Sequence, residues 1–92
     1  VPTDKTRESK VEKEICSYAE SRGWWVGKFV SPGRKGVMDR VMIRNGKVIW
    51  PEIKRPGEEE DEHQVMRREE MEAHGARCYV WHSLTEAIGV LY

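Results

Sequence analysis

Apolar residues at Val11, Ile15, Tyr18 and Ala19 recur at helical spacing and predict a first helix from about Glu8 to Ser21, with Gly23 as its stop. Aromatic and β-branched residues then crowd the stretch Trp24 to Val30, which reads as a strand, and "SPGRKG" after it reads as a turn-rich loop with two cations. Val37 to Arg44 and Lys47 to Lys54 are two further strands flanking Asn45-Gly46, the strongest short signal for a hairpin, and Pro56-Gly57 ends the pair. A charged segment carrying Val65, Met66 and Met71 predicts a helix that closes at Gly75. "ARCYVWH" reads as a fourth strand, and "SLTEAIGVLY" as a final helix capped by Ser83 or Thr85. The order α-β-β-β-α-β-α predicts a small α/β fold with a mixed central sheet flanked by helices.

At 92 residues the chain is expected to form one domain, spanning residues 1–92, with a modest core. Its 16 basic and 16 acidic residues cancel, which argues against a polycation that binds nucleic acid by bulk charge. Cys16 and Cys78 form no CxxC and are read as free thiols of an intracellular protein. No apolar run approaches a membrane span and no targeting segment is visible, so a soluble protein is expected. Because the chain begins at Val1 rather than Met, an N-terminal signal could have been trimmed.

The hairpin raises a chemical question. With Asn45 and Gly46 as the turn, Arg44 opposes Lys47, Ile43 opposes Val48, Met42 opposes Ile49, and continued pairing sets Asp39 opposite Glu52. Directly opposed like charges destabilise a sheet by roughly 0.2–1 kcal/mol. A divalent cation between them removes the conflict. Lys54 falls on the same face as Glu52 because side chains alternate along a strand. On the first helix, at about 100° per residue, Glu8 and Glu12 share the arc of Val11, Ile15 and Ala19, which would aim Glu12, and Glu8 with it, toward that pair. Oxygen donors from Asp39, Glu52, Glu12 and the Ile53 carbonyl suit Mg²⁺ or Mn²⁺. A water activated by such a metal and oriented by Lys54 could attack a phosphodiester in line, with the Lys54 cation offsetting charge on the phosphorane oxygens. The plainer readings are a surface salt bridge between Lys54 and one acid and, for the helix acids, carboxylates favoured by the helix dipole.

The blocks "ESKVEKEI", "KFVSPGRKGVMDRVMI", "PEIKRPG" and "HQ", in that order, resemble the motifs of VRR-NUC nucleases, a branch of the PD-(D/E)XK (restriction-endonuclease-like) superfamily. The resemblance runs from Glu8 to about Trp81, and "GVMD" departs from it by lacking the usual Pro before the Asp. It implies a divalent-metal-dependent DNA endonuclease, often phage-encoded in stand-alone form, acting on branched or flapped DNA. Stand-alone members resemble homodimers that act on four-way (Holliday) junctions. A phage-encoded protein would work in the cytoplasm of its bacterial host. By the same resemblance Asp39, Glu52 and Lys54 match the catalytic strand motif, Glu12 and Glu8 the first-helix acids, and Gln64 the glutamine opening the next helix, where it would orient a water or the scissile phosphate.

Lys28, Arg34, Lys35, Arg40 and Arg55 cluster around the acids, where cations would contact DNA phosphates without reading sequence. Their plainer role is solubility. His63, His74 and His82 have no spacing that builds a zinc site, and the acids from Glu58 to Glu62 read as a solvated helix start. Trp24, Trp25, Trp50 and Trp81 are expected in the core or on a dimer face, with an exposed one able to stack on an unpaired base, and Cys16 is expected to pack. Symmetric resolution of a four-way junction needs two sites related by a two-fold axis, so a homodimer is expected. No membrane partner and no organic cofactor is called for. The competing functions are a non-catalytic structure-specific DNA-binding module and a flap, linear-duplex or sequence-specific restriction-type nuclease of the same fold.

Overall fold

The structure, a computed structural model, describes the backbone of residues 4–92 and side chains from residue 9 onward. Its elements follow the expected order: α1 (Asp4–Ser21), β1 (Trp25–Lys28), β2 (Arg40–Arg44), β3 (Lys47–Ile53), α2 (Glu62–Ala73), β4 (Cys78–Trp81) and α3 (Leu84–Leu91). The four strands lie in the order β1-β2-β3-β4, antiparallel from β1 to β3 and parallel between β3 and β4. The sheet is therefore mixed, as a hairpin followed by a helical crossover requires.

Local chemistry sets the ends of these elements. Asn45 at φ 51 and Gly46 at φ 80 form a turn with both central residues left-handed, whose twist suits a two-residue hairpin. Asp61 caps α2 reciprocally: its carboxylate accepts from the Gln64 amide, and the Gln64 side chain accepts from the Asp61 amide. Of the two cap residues expected for α3, Ser83 serves, accepting from the Glu86 amide.

Alternation along the strands sorts side chains onto two faces. Val26, Met42, Ile49, Ile53 and Trp81 lie on one face through the pairs Val26↔Met42, Met42↔Ile49 and Ile53↔Trp81. They meet Ile15 and Ala19 of α1 and Ala87 and Leu91 of α3 in the core, with Trp24 beside them. Helix α2 touches β4 from the other side, where Val80 meets a groove with Val65 and Arg68. Cys16 packs against the core as expected. Trp24 and Trp81 are buried, Trp50 is half-buried, and Trp25 stays 61% exposed.

Several boundaries differ from expectation. Helix α1 begins at Asp4, a turn before Glu8. The second strand starts at Arg40 and not Val37, so residues 29–39 are a loop that buries Met38. Most of the acidic run precedes α2 instead of starting it: Glu58 pairs with Arg55 and Glu60 with Arg68.

The largest difference concerns the hairpin. Pairing of β2 with β3 runs only from Arg44↔Lys47 to Met42↔Ile49 and does not reach Asp39 and Glu52. Pro51 explains the break. The amides of Trp50 and Lys54 donate to the carbonyls of Arg77 and Trp81, so even-numbered residues of this stretch point their N–H toward β4 and odd-numbered ones toward β2. Pro51 is odd, stands where the next rung to Arg40 would form, and has no N–H to give. The ladder between the two strands accordingly ends at Met42.

Candidate active site

The charged residues of the motif lie beyond the last rung of the β2–β3 ladder. Glu52 and Lys54 are only 6% and 8% exposed. They share the face of Trp50, and across the parallel ladder Glu52 pairs with Val80, so both lie on the α2 side of the sheet. Ile53 points into the core between them.

The Phe29 amide donates to the Asp39 carbonyl at 2.8 Å, which extends the β1–β2 pairing by one rung. Phe29 in turn meets Trp50 edge-on, with ring centroids 5.3 Å apart at 84°. Asp39 itself stands at the entry to β2 and remains exposed. Glu52 and Lys54 thus share one face, and Asp39 lies just before β2, beyond the last paired rung of the hairpin.

Glu12 is held by an ion pair with Arg40. Its carboxylate accepts from the Arg40 guanidinium at 3.1 Å, and Arg40, two residues from Met42, belongs to the α1 side. A helix acid on the apolar arc needs a partner, and Arg40, the neighbour of Asp39 in the chain, supplies it. Burial, the largest single influence, works to lower the pKa of Arg40, but the hydrogen bond to Glu12 together with the nearby Cys16, Glu12 and Asp39 charges raises it overall. Burial also raises the pKa of the neighbouring Cys16 thiol, partly opposed by Arg40. The Glu8 side chain lies outside the described residues. Among the described residues, no three His, Cys, Asp or Glu side chains form a ready-made ligand cluster.

The loop that carries Asp39 is tied to α2. A Cβ on Gly36 would strike the His63 carbonyl group and stand 2.8 Å from the Gln64 nitrogen, so the loop backbone lies directly against the first turn of that helix. Arg67 donates to the Lys35 carbonyl at 3.1 Å, and Arg34 approaches Glu70 at 3.7 Å. Glu70 itself titrates below the usual carboxylate range, chiefly through its hydrogen bond from Arg67. Gln64, expected beside the substrate, has its side-chain oxygen engaged in the cap of α2.

The expected phosphate-binding cations are divided. Arg40 serves Glu12, Arg55 lies 3.2 Å from Glu58, and Arg34 leans on Glu70, while Lys28 and Lys35 are exposed. Lys28 pairs with Arg40 and so belongs to the α1 face. Sequence reasoning missed Pro51 and the contact of Gly36, although a proline within a strand pattern is a visible signal of broken pairing.

A mixed four-stranded sheet whose hairpin ladder ends before an Asp and a buried Glu-x-Lys, flanked by helices on both faces, is the architecture of a PD-(D/E)XK-type nuclease. The comparisons agree. A solved structure described as "VRR_NUC domain" superposes with a TM-score of 0.83 at 26% sequence identity, covering 94% of this chain and 98% of that one. "Putative nuclease p44" of Acyrthosiphon pisum secondary endosymbiont phage 1 is 41% identical over 75 residues, 80% of this chain and 81% of that protein. No protein-family model matches the sequence. The chain belongs to the VRR-NUC family of nucleases.

Proposed function

We propose that this protein is a divalent-metal-dependent endodeoxyribonuclease that hydrolyses phosphodiester bonds in branched DNA, acting as a homodimer on four-way junctions in the cytoplasm of a bacterial host. The observation that carries the reading is the burial of Glu52 and Lys54 on one face beyond the last rung of the β2–β3 ladder. Burying a Lys and a Glu costs a small fold free energy that apolar residues would not, and such pairs are retained where chemistry needs them.

Two carboxylates and a carbonyl fit a hydrated hard cation whose shell is completed by substrate phosphate, and do not fit an all-protein cage. Asp39, Glu52 and the Ile53 carbonyl would hold Mg²⁺ or Mn²⁺, which when bound supplies Lewis acidity toward the phosphate and its attacking water. Lys54 would donate to that water or to a phosphate oxygen, and its partial burial strengthens the interaction. Glu12, held by Arg40, would act by fixing the start of β2 and hence Asp39. Arg34 and Lys35, on the loop that carries Asp39, would meet the DNA backbone.

The test is cleavage of a labelled four-way junction, a 5′ flap and a linear duplex with Mg²⁺, Mn²⁺ or EDTA, by wild type and Lys54→Met. Metal-dependent cutting of branched DNA, reduced at least about 100-fold in the variant with unchanged circular dichroism, is expected. Binding without cutting by wild type would instead favour a DNA-binding module, and a monomer in sedimentation at assay concentrations would rule out paired junction cleavage.

A further inference from the structure

Residues 29–39 leave the sheet and return to it as one loop, closed at its base by the Phe29 amide donating to the Asp39 carbonyl at 2.8 Å. Arg34 and Lys35 lie at its middle and Asp39 at its end, so a single backbone path sets both the expected phosphate contacts and an expected metal ligand. Within the loop the Arg34 amide donates to the Ser31 carbonyl at 3.3 Å, and Met38 is buried. Its middle rests on α2.

On that helix His63, Arg67 and Glu70 recur at helical spacing and form one strip. At the start of the strip the His63 carbonyl group stands where a Cβ on Gly36 would be. One turn further, Arg67 Nε donates to the Lys35 carbonyl at 3.1 Å, while a second nitrogen of the same guanidinium donates to Glu70 at 2.8 Å. The guanidinium is a planar, rigid fork, so once Glu70 holds one arm the other is aimed at the loop backbone. The Arg67 side chain is 16% exposed, and its bond to the carbonyl is charge-assisted, hence stronger than a neutral one. Arg68 supplies the contrast. About 100° round the helix, it serves Glu60 and Glu72 at 2.9 and 3.2 Å, on the side of Val65 and Val80.

We propose that Arg67 is a positioning residue of the nuclease site, fixing the Lys35 carbonyl and, through the four residues that follow, the place of Asp39. It acts through the loop backbone and not through a bond of its own to metal or phosphate. The proposal rests on the reading of Asp39 as a metal ligand, and adds that metal affinity is set in part from α2, by a side chain outside the hydrolytic set.

Mn²⁺ binding without DNA, read from the electron paramagnetic resonance of the free ion, tests it, with Asp39→Asn as the measure of Mn²⁺ held elsewhere on the chain. Arg67→Met is expected to weaken binding at least about tenfold and Arg68→Met less than about twofold, although each deletes a guanidinium bonded to acids on one helix. Deuterium exchange of the amides of residues 35–39, measured without metal, is expected to quicken at least about tenfold in Arg67→Met and to keep the wild-type rate in Arg68→Met. Should Arg67→Met fail to fold by circular dichroism, Arg67→Lys keeps the charge, can serve one of the two acceptors, and is expected to lose about threefold in Mn²⁺ affinity. Unchanged Mn²⁺ affinity or unchanged loop exchange in the Arg67 variant that folds overturns the proposal. Equal losses in Arg67→Met and Arg68→Met overturn it too, because they would mark a general loss of stability. Wild type that binds Mn²⁺ no better than Asp39→Asn sinks the metal reading instead, and the exchange comparison then still decides whether Arg67 orders the loop.

Discussion

Replacing Gly36 and Gly33 by Ala, one at a time, isolates what the active-site loop needs. The two glycines have nearly the same backbone, φ 80 and φ 81, yet different surroundings. At Gly33 a Cβ meets nothing within 4 Å, whereas at Gly36 it meets the backbone of His63 and Gln64. Both substitutions carry the left-handed penalty of roughly 1–2 kcal/mol. Only Gly36→Ala must also displace backbone, which adds about 1–3 kcal/mol. At about 4–8 °C of Tm per kcal/mol for a protein of this size, Gly33→Ala should melt roughly 5–10 °C lower and Gly36→Ala about twice that. The functional consequence is larger than the thermal one. Lifting the loop from α2 moves Asp39, three residues on, so cleavage by Gly36→Ala should fall at least about tenfold at a temperature where both variants are folded, since small misplacements of a positioned group cost that much. Calorimetry and single-turnover cleavage read the two effects. Equal melting losses for the two variants, with equal cleavage, would refute the close-approach argument.

Other perturbations probe the frame of the site. Arg44→Ala should cost about 1.5–3 kcal/mol in urea denaturation, because the guanidinium donates to the carbonyls of Arg22, Leu91 and Tyr92 at 3.0–3.1 Å and sits 4.5 Å over the Trp24 ring; full recovery by Lys would contradict the need for a planar fork. A double-mutant cycle of Glu12→Gln and Arg40→Met should give a coupling of about 1 kcal/mol, limited by side chains that are 30% and 20% exposed; zero coupling would remove the pair as the anchor of β2. Cys78, whose thiol is pushed up to about 11 first by burial and then by Glu72, should resist iodoacetamide at pH 8 and react as pH approaches 11. Because its folded pKa exceeds the ordinary 9.0, its contribution to stability is complete below pH 9 and lost between about 9 and 11. Labelling at pH 8 at the rate of a free thiol would show that the side chain is not buried as described.

Much of this fold is local information. Asn45-Gly46 sets the hairpin because two consecutive left-handed residues suit little else, and the register near the turn follows from it. The capping box of Asp61 and Gln64 is equally legible as a sequence pattern, although its meaning is structural and not chemical. Resemblance across the ordered motif blocks identified the family, which composition and periodicity alone would not.

Alternation at period two was enough to put Glu52 and Lys54 on one face, because side-chain direction along a strand is a property of the covalent backbone. The distance over which that logic extends was decided by tertiary structure: the missing amide of Pro51 ends the β2–β3 ladder, and Asp39 lies beyond its last pair where simple extrapolation set it on a rung. The same division holds for Glu12. Helical periodicity puts its carboxylate on the inward arc, but which cation meets it depends on how α1 packs over residues 28 positions later in the chain, and the structure supplies Arg40. Backbone chirality and spacing act within a few residues and can be read from them. Partners brought together by packing depend on every contact that fixes the approach of two elements, and no short stretch of sequence contains that information.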